Sequence, residues 1–203
     1  MKRLLFWMLI MGGQAAMAVE EAAYEVVTKQ GRFEVRAYAP QIVAEVLIDG
    51  TLEEAGDRAF RPLFRYIDGD NRGRAKIAMT APVAQEAAGE QIAMTAPVSQ
   101  ERAGDRWAVR FVMPAGYTLE SLPEPDDPAV TLHQHPARRV AAVRYSGFWS
   151  EKNYRRNLEA LRQWMNEQGL APAGEPVWAR YNPPFTPWFL RRNEILIPLA
   201  LPP

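Results

Sequence analysis

Two stretches of the chain that lie 97 residues apart share the same order of features. Val43-Ala44-Glu45-Val46 matches Val140-Ala141-Ala142-Val143, and in each half a glycine and a segment of helical spacing follow. The other matching positions are Gly50 and Gly147, Phe64 and Leu161, and Ile67 and Trp164. The repeat predicts two similar β-α-β units about a pseudo-twofold axis. Many short strands with two helices predict an α+β sheet or distorted barrel, with the helices packed outside.

Local patterns place one helix in each half. Thr51 and Glu54 have the spacing of a capping box, and Ser150 opens the second helix. The first helix carries apolar residues at Leu52, Ala55, Ala59, Phe60, Leu63, Phe64 and Ile67, and the second at Tyr154, Leu158, Leu161 and Met165. Strands are predicted at Tyr24–Lys29, Arg32–Tyr38, Ile42–Ile48, Trp107–Met113, Val130–His135, Arg138–Tyr145, Val177–Tyr181 and Glu194–Leu199.

A shorter repeat lies between these helices. The segment Ile77–Val83 (Ile-Ala-Met-Thr-Ala-Pro-Val) returns unchanged as Ile92–Val98. Each copy alternates large apolar residues with small or polar ones, which is the period of a strand. We therefore expect two neighbouring antiparallel strands, joined by a hairpin loop, with Met79 and Met94 packed inward on one apolar face.

The first residues predict export. Lys2 and Arg3 precede an apolar run, and Ala16-Met17-Ala18 is a cleavage site, so residues 1–18 read as a signal peptide and 19–203 as a single domain. The expected location is periplasmic or secreted, without a membrane span. The chain has 24 basic and 24 acidic residues, and removing Lys2 and Arg3 leaves a net charge of −2. A nucleic-acid binder would show a basic excess, so we expect none, and we expect a monomer.

Few residues suggest catalysis or metal binding. The chain has no cysteine, and its two histidines are His133 and His135. They alternate with apolar residues of one strand, so we expect them on its polar, exposed side. Glu194 enters an apolar strand after two arginines, which predicts a structural ion pair; a general base is the alternative. The segment 181–190 combines three prolines with four aromatics, which suits either an apolar pocket or a cover for the core.

Several segments together resemble the SOUL haem-binding protein family. They are Arg65-Tyr66-Ile67 with Gly69, Asn71 and Ile77–Val83, then Phe111-Val112-Met113-Pro114, and then Tyr181-Asn182-Pro183-Pro184 with Arg191-Arg192-Asn193-Glu194-Ile195. They occur in family order and span about Tyr24 to Leu199. The resemblance implies a distorted antiparallel β-barrel of two pseudo-symmetric halves with two outer helices. It also implies a haem or another tetrapyrrole, a planar apolar ligand, in a shallow apolar cleft.

In that family the cleft lies between the first helix and the loop before the last strand. The positions that correspond here are Phe60, Phe64, Arg65, Phe185, Thr186 and Trp188. Arg65 takes the place of a basic residue suited to a haem propionate. Some relatives are proposed to use an axial histidine in their first half, whereas this chain has none before His133. The resemblance therefore implies a haem without a strong axial protein ligand, held for buffering or transfer.

Two other function classes stay open at this point. Similar two-fold barrels occur in drug-sensing regulator domains and in hydrolases of small apolar substrates, where Glu194 or another pocket carboxylate would act as base. A third reading is an interaction module whose aromatic loop meets a partner protein. We expect a binding protein rather than an enzyme.

Overall fold

A computed structural model describes residues 19–73 and 89–200 of the chain. The signal peptide predicted over 1–18 and the first copy of the short repeat, 77–83, lie outside the described residues. Among the described helices, none is both long and apolar enough to cross a membrane.

The described residues form thirteen strands, two α-helices and one 3₁₀ turn, Trp188–Leu190. The helices are α1 (Leu52–Ile67) and α2 (Glu151–Glu167). The strands are β1 (Glu20–Glu21), β2 (Tyr24–Gln30), β3 (Phe33–Tyr38), β4 (Gln41–Ile48), β5 (Asn71–Arg72), β6 (Thr95–Ala96), β7 (Val98–Ala103), β8 (Arg106–Val112), β9 (Glu124–Pro125), β10 (Thr131–His135), β11 (Arg138–Tyr145), β12 (Val177–Arg180) and β13 (Asn193–Pro198).

Nine of these strands form one antiparallel half-barrel sheet in the order β10-β4-β8-β7-β12-β13-β11-β3-β2. The order is nearly the same from either side of the central β7–β12 pair. β4 lies between β10 and β8, and β11 lies between β3 and β13 in the same way. Exchanging β3-β4-α1-β7-β8 with β10-β11-α2-β12-β13 therefore maps one half onto the other. This confirms the α+β fold with two pseudo-symmetric halves.

In both halves, a glycine turn followed by a helix cap connects the strand to the helix. Gly50 and Gly147 have φ angles of +123° and +121°, which side chains other than hydrogen rarely allow. The caps Thr51 and Ser150 then accept hydrogen bonds from the third helical residue. In α1 the capping box is complete, because Glu54 also accepts from the Thr51 amide at 3.2 Å. The 97-residue offset thus includes the glycine of the turn, whereas the caps Thr51 and Ser150 lie 99 residues apart (150 − 51).

Each helix packs its apolar stripe on the sheet. The α1 core contains Ala55, Ala59, Leu63 and Ile67 with Ala44, Val46, Val109 and Phe111 of the sheet. The α2 core contains Tyr154, Leu161, Trp164 and Met165 with Val143, Trp178, Ile195 and Ile197. Because side chains alternate along a strand, Glu194 and Leu196 of β13 lie on the face away from α2.

That opposite face holds a buried ion-pair network centred on Glu194, which is 0% exposed. Two guanidinium nitrogens of Arg36 donate to its carboxylate at 2.6 and 3.1 Å, and Arg192 donates at 3.0 Å. The Tyr181 hydroxyl adds a fourth bond at 2.9 Å. Burial opposes ionisation of Glu194, but these cations hold the pKa of its carboxyl below the usual value. The structural reading is thus supported, although the main partner, Arg36, comes from a strand that the sequence did not connect to it.

The second copy of the short repeat differs from its prediction. Only Thr95–Ala96 and the strand that starts at Val98 are extended, and β6 pairs in parallel with β1. Burial does not alternate, because Thr95, Ala96 and Pro97 are all buried while Met94 is 38% exposed. Pro97 has no N–H to donate to a strand ladder, and it separates β6 from β7. The inward packing predicted for Met94 is therefore wrong.

Candidate ligand-binding cleft

An apolar cleft of about 450 Å³ opens between α1 and the loop that joins β12 to β13. Its volume is within the range of small-molecule sites, roughly 300–1,000 Å³. The residues that line it are Val19, Gly56, Asp57, Phe60, Met94, Thr95, Ala96, Val98, Trp149, Arg180, Tyr181, Asn182, Pro183, Pro184 and Phe185. Most of these groups are hydrocarbon or aromatic, so the cleft favours an apolar ligand.

Helix α1 supplies one wall, because the flank of the helix beside its core stripe faces the cleft. Gly56 and Phe60, one turn apart, both line it. Phe60 stacks on Phe64 with ring centroids 5.7 Å apart and meets the edge of Phe111 at 5.6 Å. The exposed aromatic ring of Phe60 is thus fixed by two neighbours.

The facing wall is the loop 181–187, whose shape is set by hydrogen bonds from the residues after it. Arg191 donates to the carbonyl oxygens of Thr186 at 2.8 Å and Pro184 at 2.7 Å. The Asn182 carboxamide accepts from the Arg192 amide at 2.6 Å. These bonds close the loop and present Phe185, which is 86% exposed, at the rim of the cleft.

The cleft's deeper wall is a stack of cations and indoles. The Arg180 guanidinium lies 5.1 Å from the Trp149 ring centroid and 5.3 Å from that of Trp178. Arg191 lies over the Trp149 ring as well, at 4.3 Å. Asn193, which is fully buried, accepts a 2.8 Å hydrogen bond from the Trp149 indole N–H and so fixes its orientation.

The structure brings together only part of the predicted site. Phe60 and Phe185 line the cleft, and Phe64 stacks behind Phe60. Thr186 and Trp188 belong to the same loop but not to the lining; Trp188 instead stacks on Phe148 at 5.2 Å. Arg65 is paired with Asp70 at 2.5 Å on the exposed side of α1 and does not line the cleft.

Both histidines lie on the other face of the sheet. In β10, Leu132 packs toward the α1 core, so His133 and His135 point away from it. His133 is exposed as expected, but His135 is half-buried, and burial together with Arg110 and Arg138 lowers its pKa. Of the described lining residues, Met94 is the one with a thioether, which haem iron can accept as an axial ligand.

Other cavities of similar size have charged walls. One of about 540 Å³ beside α2 is lined by Arg102, Glu151, Arg155, Glu159 and Arg162 among others. Another of about 440 Å³ is bordered by Glu20, Glu21 and Glu120. Size therefore does not single out the α1 cleft, whereas the chemistry of its walls does.

The sequence model of the SOUL heme-binding protein matches residues 19–198, nearly the whole chain. The chain belongs to the SOUL family. A search of curated proteins gave no match. Solved structures share the fold: a hydrolase from Listeria innocua has a TM-score of 0.58 at 13% identity, with 86% of this chain and 94% of that chain covered. The EcmrR C-terminal domain has a TM-score of 0.52 at 11% identity, covering 87% of this chain and 98% of that one.

Of the motifs that resemble the SOUL family, the segment 181–184 lines the cleft, whereas the segment 191–194 supports it from behind. Arg191 and Asn193 hold the loop and Trp149, while Arg192 stacks over the Tyr181 ring at 3.7 Å and Glu194 anchors the sheet. The sequence reading missed Arg180, Trp149 and Met94 as lining residues. A signal existed for Arg180, since strand alternation puts it on the same face as the buried Trp178.

Proposed function

We propose that this SOUL-family protein binds haem or another tetrapyrrole in the α1 cleft, as a carrier or buffer and not as a catalyst. The observation that supports this most is the cleft itself. It joins Phe60, Trp149 and Phe185 to a proline-stiffened loop within a chain that matches the SOUL family along nearly its full length. Aromatic surfaces fixed in advance bind a flat apolar ligand with little loss of conformational entropy.

The lining of the cleft suits such a ligand through apolar contact more than through iron ligation. Met94 could approach the iron from one side. The Tyr181 hydroxyl is already bonded to Glu194, and the histidines are on the other face of the sheet. When bound, a haem would supply redox and ligand-binding chemistry, while the protein's own residues hold its faces and exclude water.

Titration of the chain without residues 1–18 with haemin tests the proposal. We expect a shifted Soret band and quenched tryptophan fluorescence, because Trp149 lines the cleft. Phe60→Ala or Phe185→Ala should weaken binding roughly 5- to 30-fold through lost apolar contact. His133→Ala is the matched control and should leave affinity unchanged. Absence of both spectral changes at micromolar haemin would overturn the proposal.

The rival function is a hydrolase or sensor that uses a carboxylate in the pocket. Among the described lining residues the carboxylate is Asp57, which is exposed on α1, while Glu194 is bonded to three partners on the opposite face. Asp57 is therefore solvated, and Glu194 is buried but does not line the cleft. Turnover of small esters that Asp57→Asn abolishes would favour the rival.

We also propose that the protein is exported through its first 18 residues and acts as a monomer in the periplasm or outside the cell. The mass of the protein recovered from the periplasmic fraction tests the export, since cleavage after Ala18 gives a chain that starts at Val19. Light scattering of the same sample tests the monomer.

A further inference from the structure

Arg180 is a buried cation without a counter-ion among the described residues. It is only 9% exposed, yet its guanidinium forms neither a hydrogen bond nor an ion pair with any part of the chain that the structure describes. Its neighbours are the Trp149 and Trp178 rings and the backbone of α1. An unpaired buried charge is costly, so native structures usually give it a partner.

Helix α1 is shaped to admit this guanidinium. A Cβ at Gly56 would lie 1.8 Å from Nη2 of Arg180, so any larger residue there would displace the guanidinium from its present position against the helix. Glycine inside a helix is unfavourable by about 1 kcal/mol relative to alanine. Gly56 therefore weakens α1 at the point where the guanidinium of Arg180 contacts the helix.

The surroundings hold Arg180 in place without neutralising it. The two indoles orient the plane of the guanidinium, and Asp57 on the rim attracts it without forming an ion pair. Burial lowers the pKa of Arg180 more than Asp57 and Tyr145 raise it, yet an arginine stays charged at neutral pH. The planar guanidinium of Arg180 is therefore available to a group, such as a carboxylate, that accepts two of its hydrogen bonds at once.

We propose that Arg180 receives a carboxylate of the bound ligand, so that the cleft selects planar apolar molecules that carry an acidic side chain. The proposal rests on the proposed function, for which a tetrapyrrole propionate is the group that fits. It moves the anion site from Arg65, which Asp70 already occupies, to the deeper wall of the cleft.

The test compares protoporphyrin IX, which has two carboxylates and no iron, with its dimethyl ester. Binding is followed by tryptophan quenching and porphyrin anisotropy. For the wild type we expect the free acid to bind about 10- to 100-fold more tightly than the ester, the usual worth of a charge-assisted hydrogen bond. Arg180→Gln should remove this preference, so that acid and ester bind with equal affinity, and its urea unfolding transition checks that the variant is still folded.

Two further variants separate an anion site from a purely structural stack. Arg180→Lys keeps the charge and loses the planar stacking, so it should restore part of the preference for the acid. Asp57→Asn removes the competing carboxylate and should widen the preference for the acid over the ester roughly 2- to 5-fold.

The outcomes distinguish the two proposals. Equal affinity of the wild type for acid and ester, or an unchanged preference in Arg180→Gln, overturns the role of Arg180 and leaves the proposed function standing. Failure of the wild type to bind either porphyrin overturns the proposed function and this inference with it.

Discussion

Replacement of Glu194 by glutamine is expected to destabilise the protein strongly. The variant leaves Arg36, which is 2% exposed, opposite a neutral group. Removing one partner of a buried pair typically costs about 3–5 kcal/mol, because the other charge stays desolvated. Arg36 keeps a second carboxylate, Glu34, at 2.7 Å. We therefore expect a loss near the lower limit, about 3 kcal/mol of unfolding free energy.

Urea unfolding followed by tryptophan fluorescence measures this loss. Arg65→Ala is the control, since it breaks an ion pair whose side chains are 63% and 46% exposed, and such pairs contribute about 0–1 kcal/mol. A loss for Glu194→Gln no larger than that of the control would refute the reasoning.

The same pair predicts how stability depends on pH. Although burial opposes ionisation, Arg36 and Arg192 lower the pKa of Glu194 in the folded protein. A lowered carboxyl pKa stabilises the fold above the pKa of the unfolded chain, about 4.3, and this stability is lost as the pH falls through the folded value. Below about pH 4.3 the wild type should therefore lose stability more steeply than Glu194→Gln. Parallel curves for the two proteins would contradict this account.

Two more predictions concern the turn and the wall of the cleft. Gly147→Ala should cost about 1–3 kcal/mol in urea unfolding, because φ is +121° and a Cβ would lie 2.7 Å from Asn153, whereas Gly116→Ala, with nothing within 4 Å, should have little effect; equal costs would refute it. Asn193→Ala should cost about 2–4 kcal/mol and shift the emission of Trp149, since it removes hydrogen bonds to that indole and to Gly147. An unchanged spectrum and stability would show that the indole is held otherwise.

Much of the fold could be predicted because its determinants are local and occur twice. The offset of 97 residues carries β4 onto β11 with identical lengths, and the capping residues mark where each helix begins. The order of the sheet and the pairing of Glu194 with Arg36 could not be predicted in this way. They depend on contacts between residues 158 positions apart in the chain, which no local pattern contains.

The candidate site was predicted less completely for a related reason. Phe60 and Phe185 lie at positions where the helix and the loop face each other, and both belong to elements with strong local signals. Met94 was misplaced because a strand period was assumed across Pro97. Arg180 was missed because an arginine in a short strand reads as exposed until the second tryptophan and Gly56 are known to pack around it.

The residues near the C-terminus fall into two sets, one that supports the wall of the cleft and one that lines it. The motif from Arg191 to Glu194 makes its bonds to the loop, to Trp149 and to the sheet, so it defines the shape of the wall. The residues that a ligand would touch, such as Arg180 and Phe185, stand outside that motif. Because the motif residues hold the scaffold, substitutions among the lining residues can alter which ligand binds without loss of the fold. Ligand chemistry in this chain therefore has to be inferred from the lining of its own cleft, and the charge of Arg180 is the most specific feature of that lining.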